Sequence, residues 1–302
     1  MRPVSRGARP SYVTARGTRQ NKQYKEYGDL RIDLISRIGE YCSYCEVPLG
    51  VSLAIEHMLS KSWSINEIDW DNSLLACTNC NSHKTDKTTS ELSLNSYFWP
   101  SKDSDGTFDM LLYVRENLSL QSLIDNGLLA LSDARAKKLY VRNSYDMVWV
   151  KVNPTYVGQQ REDKVKRTIN LIGLNDYVPD DDNPKVSDRR VVNRTRAWER
   201  AELAATHLGK HFRLYNLQYN PFGNPDSNRR VTDQAAVDPK ILMLKNQIKD
   251  LAAATGFWSV WVTVFMSRTF INDEVRKALI CELFVRPFPG TRLPVAGITA
   301  CP

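Results

Sequence analysis

Two Cys-x-x-Cys knuckles, Cys42-Ser43-Tyr44-Cys45 and Cys77-Thr78-Asn79-Cys80, constrain this chain more than any other feature of its sequence. Each spacing lets two thiolates face one ion, and the pair completes a tetrahedral zinc shell of Cys42, Cys45, Cys77 and Cys80. The fold must therefore bring both ends of this segment to one point. A shell closed by four thiolates leaves no position for a substrate, so the zinc is expected to be structural, stapling a unit too small to bury enough surface alone.

The chain has 302 residues, 42% hydrophobic and 25% charged, which allows one large or two modest domains and excludes a disordered or fibrous protein. The longest apolar stretches, such as Phe257 to Met266, stop short of the roughly 20 residues of a membrane span, so no membrane partner is expected. Six cysteines are too few for a disulfide framework, and the amino end lacks the apolar core of a secretory signal. A reducing, cytoplasmic setting is expected.

Net charge is +7, from 41 Lys and Arg against 34 Asp and Glu. Residues 1–25 carry Arg2, Arg6, Arg9, Arg16, Arg19, Lys22 and Lys25 and no acid, so the excess sits in one arm. Such an arm can lie along the phosphates of a nucleic acid, with Arg2, Arg6 and Arg9 as contacts. A solvated tail, an Arg-rich transit peptide and a strap across the body of the fold are the competing readings. Gly7, Pro10 and Gly17 argue against the amphipathic helix of a transit peptide.

Between and after the knuckles lie Ile55-Glu56-His57, Trp70-Asp71-Asn72-Ser73-Leu74-Leu75 and Asn81-Ser82-His83-Lys84. With Tyr41 to Cys45, these runs resemble the HNH endonucleases of the four-cysteine type. The resemblance implies a β-hairpin followed by a helix, the ββα-metal or His-Me finger, with a catalytic Mg2+ or Mn2+ between them. Phosphodiester hydrolysis needs a base for water and a cation for the developing charge, and neutral imidazole suits the first task near pH 7. By resemblance His57 is that base, Glu56 binds the metal from the opposite side of the strand, and Asn72 holds the His57 loop through backbone hydrogen bonds. Asn81 supplies the second metal ligand, with His83 as the alternative, and Lys84 touches phosphate.

The likeness extends further. Met1 to Gly7, Ile38 to Glu46, Leu74 to Ser82, Ile172-Gly173-Leu174, Ser187 to Arg190 and Phe288 to Thr291 are similar to the HNH proteins encoded with Septu-type anti-phage systems and some retrons. That likeness implies an ABC-type ATPase partner, self-association and, in retron-linked relatives, a reverse transcriptase with its RNA/DNA product. The substrate it implies is DNA in some relatives and tRNA in others. A non-cleaving, zinc-stapled nucleic-acid-binding or adaptor subunit of such a complex is the competing expectation.

The expected fold class is α+β: residues 1–95 form the basic arm and a small zinc-stapled nuclease module, and residues 96–302 a mainly helical domain for partner docking or substrate binding. Apolar spacing predicts helices near 27–38, 118–126, 132–142, 161–172, 187–211, 238–254, 257–268 and 272–284. Asp180 to Pro184 reads as a breaker and residues 216–233 as a polar loop. Arg189, Arg190, Arg194, Arg196 and Arg200 give the 187–211 helix a basic side, with Asp188 as its cap. His207 and His211 are four apart but lack a third ligand, and Cys281 reads as a small buried hydrophobe.

Overall fold

The fold is described by a computed structural model covering residues 1–50, 53–64, 68–102, 107–130, 144–156, 158–177, 188–219, 238–268 and 273–301. The expected helix at 132–142, the breaker at 180–184 and most of the polar loop at 216–233 lie outside the described residues.

The first six residues are a strap. Met1, Arg2, Val4 and Arg6 are buried, and Val4 pairs with Thr291 near the far end of the chain. The Arg2 guanidinium donates to the carbonyls of Pro289 at 2.7 Å and Ile38 at 2.5 Å and to Thr291 Oγ1 at 3.0 Å. Arg6 donates to the carbonyls of Ser73 at 2.5 Å and Asp71 at 2.9 Å. Two cations of the arm are thus spent inside the fold, closing backbone carbonyls that water does not reach. The Met1 amine lies 3.6 Å from Glu46 Oε1, and burial lowers its pKa to about 6.

Beyond the strap, β1 (Ser11–Val13) and β2 (Arg19–Asn21) form an antiparallel hairpin exposed at every strand position. Helix α1 (Tyr27–Ile38) buries Leu30, Leu34 and Ile38, one stripe at four-residue spacing, and ends at Gly39, whose φ of 76° suits a residue without a Cβ. The first knuckle follows. Strands β3 (Leu53–His57) and β4 (Ser73–Cys77) then pair antiparallel from Leu53↔Cys77 to His57↔Ser73, and α2 (Thr78–Lys84) leaves β4 without a linker. This is the expected hairpin and helix. A short α3 (Glu91–Asn95) is capped by Ser90 and Ser93 in a reciprocal box.

The remainder departs from the expected run of helices. After α4 (Thr107–Met110), β5 (Leu111–Ser119) pairs along its length with β6 (Ser144–Val152), and α5 (Leu120–Asp125) is confined to the C-terminal part of the helix expected at 118–126. Helices α6 (Gln159–Ile172), α7 (Arg190–Tyr219), α8 (Pro239–Thr255), α9 (Trp258–Met266) and α10 (Asp273–Ile280) follow where expected. Asp238 caps α8 by accepting from the amides of Lys240 and Ile241. The apolar α9 is buried along most of its length and packs against α7, as its composition predicts. Two of the five arginines assigned to a basic side of α7 face inward. Arg194 donates to the carbonyls of Val148 and Leu174, both at 2.9 Å, and Arg190 reaches the knuckles. Cys281 is not a lone hydrophobe: it forms a disulfide with Cys301.

One carboxylate joins the knuckle to the body. Glu46, directly after Cys45, accepts from the amide of Arg2 at 2.5 Å, the amide of Ser259 at 2.7 Å and Ser259 Oγ at 2.6 Å. Its carbonyl accepts from the Phe257 amide at 2.9 Å, and a Cβ on Gly256 would fall 2.4 Å from that oxygen. Glycine is therefore required where the α8–α9 corner meets the knuckle.

Candidate active site

Cys77 ends β4, begins the α2 N-terminus and accepts from the Cys80 amide through its sulfur at 3.5 Å. Cys80 lies one helical turn on, and the first knuckle folds back so that the four sulfurs lie within 4.8 Å of one another, all buried. Cys45 and Cys77 sulfurs are 3.6 Å apart, close to the ~3.8 Å edge of a tetrahedron with zinc–sulfur bonds of about 2.3 Å. Burial pushes the Cys45 and Cys80 thiols up, whereas hydrogen bonds from the other cysteines hold Cys77 down. Four sulfurs this close and this buried share negative charge only with a cation among them, so the donor set fits zinc. Arg190 Nη1 donates to Cys80 Sγ at 3.1 Å and pairs with Asp188. Burial opposes the Arg190 charge, but Cys80 and Asp188 outweigh it and hold the guanidinium above its ordinary pKa. A cation beside a zinc-bound thiolate offsets the net negative charge of a four-thiolate shell.

The β3–β4 register sets the rest. Glu56 opposes Leu74 and His57 opposes Ser73, so the two side chains leave opposite faces of the strand. Glu56 is buried: its Oε1 lies 2.8 Å from Lys84 Nζ on α2, and its Oε2 accepts from the Tyr44 hydroxyl inside the first knuckle. Burial raises the Glu56 carboxyl above the usual carboxylate range, with Lys84 and Tyr44 pulling it back. Lys84 is 1% exposed, so its ammonium serves Glu56 rather than the surface. His57 is half-buried, with its ring edge-on to Tyr27 at 5.9 Å.

Asn72 clasps the segment that follows His57. Its Oδ1 accepts from the Leu59 amide at 2.7 Å and its Nδ2 donates to the Leu59 carbonyl at 2.9 Å. Thr88 adds a hydrogen bond from its hydroxyl to the Met58 carbonyl at 2.6 Å. Asn81 is exposed on α2, which packs against both strands. His83, one turn from Cys80, is tied instead to the end of α6: its Nε2 lies 2.9 Å from Asp176 Oδ2. Gly173 makes that approach possible, since a Cβ there would sit 2.9 Å from His83 Nδ1. Arg9 is half-buried, its guanidinium 5.5 Å over the Tyr24 ring. His207 and His211 stand on α7, and among the described residues the four cysteines form the cluster that can hold a metal.

Glu56, His57 and Asn72 thus share one hairpin, Asn81 stands on the helix against it, and Arg2 and Arg6 brace the fold beneath. Tyr44, Glu46, Tyr27 and Arg190 complete the surroundings without having been singled out as site residues. Tyr44 and Glu46 sit within and beside a Cys-x-x-Cys, where a buried polar residue is needed to tie a small unit to its neighbours.

No curated protein and no solved structure matches the chain. The family model described as HNH endonuclease matches residues 42–87, from the first cysteine of the first knuckle to just beyond α2. With the clustered thiols, that match makes residues 42–87 an HNH domain with a four-cysteine cluster, set in an α+β chain.

Proposed function

We propose that this protein is a metal-dependent endonuclease that hydrolyses phosphodiester bonds in nucleic acid, the effector of a bacterial anti-phage complex with an ABC-type ATPase. The observation that carries the catalytic reading is the double hydrogen bond of Asn72 to Leu59, two residues after His57, within the segment matched as an HNH domain. It fixes the chain that orients the imidazole. His57 takes a proton from water, and the water oxygen attacks phosphorus. A bound Mg2+ or Mn2+ offsets charge on the phosphorane and the leaving oxygen. Asn81 offers an exposed amide oxygen for it, and Glu56 a carboxylate now neutralised by Lys84, so an ion at Glu56 takes over a role that the ammonium fills. Zinc holds the hairpin and helix together.

Residues 1–95 serve as the nuclease module, and residues 96–302 as the surface for the ATPase, for a second copy of the chain and, in a retron setting, for the reverse transcriptase and its RNA/DNA product. The likeness noted in Met1 to Gly7 and Phe288 to Thr291 supports this assignment. No described helix is long and apolar enough to cross a membrane. A cytoplasmic location follows from the need to keep four knuckle thiols reduced for zinc.

A non-cleaving binding or adaptor role is the second reading. The closed Glu56–Lys84 pair favours it, because it leaves Glu56 no free oxygen. The His57→Ala variant decides: cleavage of nucleic acid by the complex with its ATPase, assayed with Mg2+ or Mn2+, should disappear. Cleavage that survives this change removes the endonuclease reading.

A further inference from the structure

The β1–β2 hairpin has no packing role of its own. Ser11, Tyr12, Val13, Arg19, Gln20 and Asn21 are all exposed, Tyr12 and Val13 at 52% and 67%, on both faces of the ribbon. A lone two-stranded hairpin is at best marginally stable in water, so one that buries nothing calls for a partner outside the chain. Its register places Tyr12 beside Gln20 on one face, and Ser11, Val13, Arg19 and Asn21 on the other. Arg9, Arg16, Arg19 and Lys22 lie on or beside it, and residues 1–25 hold no acid.

Both roots of the ribbon sit at the His57 end of the β3–β4 hairpin. On entry, Arg6 donates to the carbonyl of Ser73, the strand partner of His57, and Trp70 Nε1 donates to the Gly7 carbonyl at 3.3 Å. On exit, Tyr24 stacks on Trp70 at 6.1 Å, and Tyr27 meets the His57 ring. A cationic ribbon is thereby fixed at its base to the strand that carries the catalytic imidazole.

We propose that the β1–β2 hairpin enters the major groove of B-form DNA and seats the duplex so that a backbone phosphate faces His57. This rests on the endonuclease reading above and assigns it a substrate class. The dimensions agree: strands about 4.8 Å apart, with their side chains, fit a groove about 12 Å wide, and six extended residues at about 3.3 Å each reach past its ~8.5 Å depth. Gln20, Asn21 and Arg19 carry the amide and guanidinium groups that read base edges there, and Arg16 at the turn meets phosphate. The deep, narrow major groove of an A-form RNA helix does not admit such a ribbon.

The test is binding, measured apart from cleavage. Fluorescence anisotropy of a DNA duplex, an RNA duplex and a DNA single strand of equal length is followed across a salt series, with His57→Ala in every protein to prevent cutting. Arg16→Ala/Arg19→Ala should weaken DNA-duplex binding at least tenfold and flatten its log–log salt slope by nearly two, since each lost phosphate contact removes about 0.9. Binding of the other two should change far less. Methylation of guanine N7, an atom of the major groove, should be blocked by the parent and regained with the variant. An unchanged DNA-duplex affinity, an equal loss on all three nucleic acids, or N7 atoms left open by the parent overturns the proposal. None of these outcomes touches the endonuclease reading, which falls separately if His57→Ala protein still cuts.

Discussion

Glu56 and Lys84, one on β3 and one on α2, form an ion pair 2.8 Å long with side chains 2% and 1% exposed. A buried pair is a weak source of net stability, but breaking one is costly because a lone charge stays behind. Lys84→Met should therefore destabilise the protein by about 3–5 kcal/mol, and Glu56→Gln/Lys84→Met should recover much of that loss. Chemical denaturation of the three proteins at one pH provides the comparison.

Loss of Lys84 also has a pH signature. Burial already raises the Glu56 carboxyl above its ordinary 4.5, and without the ammonium it rises further. The folded variant then keeps a proton that the unfolded chain releases. Its stability is greatest below about pH 4.5 and falls as pH climbs through the folded pKa. A Lys84→Met protein whose unfolding midpoint rises over that range contradicts the assignment.

Asn72→Ala removes both hydrogen bonds to Leu59 and leaves the Leu59 amide and carbonyl to find new partners. The expected cost is about 1–3 kcal/mol. Cleavage should fall about tenfold or more while the zinc content stays constant, as for residues that position another group. Asn72→Asp keeps the acceptor for the Leu59 amide and should retain more activity than the alanine variant.

Zinc and the catalytic ion should separate under chelation. Removing Mg2+ should stop cutting and leave the circular dichroism unchanged. Removing zinc, or substituting Cys42→Ser, should unfold residues 42–87, because the four sulfurs repel one another without the ion. A Cys42→Ser protein with native dichroism and one equivalent of zinc would contradict a four-thiolate site.

The Cys281–Cys301 bridge closes a loop of sequence separation 20, which the chain-entropy model values at about 3 kcal/mol. Cys301→Ser should lower stability by up to that amount under oxidising conditions and by nothing in excess thiol. Intact mass with and without alkylation reports the bridge directly.

The zinc cluster and the hairpin-helix unit were legible because their signal is local: paired cysteines at a fixed spacing, with Glu56-His57 and Asn72 between them. The β5–β6 hairpin was not. Val148, Trp149 and Val150 are buried one after another, so β6 lacks the alternation that marks a half-exposed strand. Arg2, Arg6, Arg190 and Arg194 read as surface charge because composition counts cations without saying what they face. Each is buried against carbonyls or, for Arg190, also against a sulfur and a carboxylate. The Cys281–Cys301 pairing was hidden for a similar reason, since contact between a helix and the tail leaves no trace in spacing.

Glu46 gives the molecule a keystone. One side chain touches the first two residues, the turn that carries the knuckle and the start of α9, so none of the three can shift without disturbing the others. Strain entering at any one of them should spread to the rest, and the arch should give way all at once rather than stone by stone.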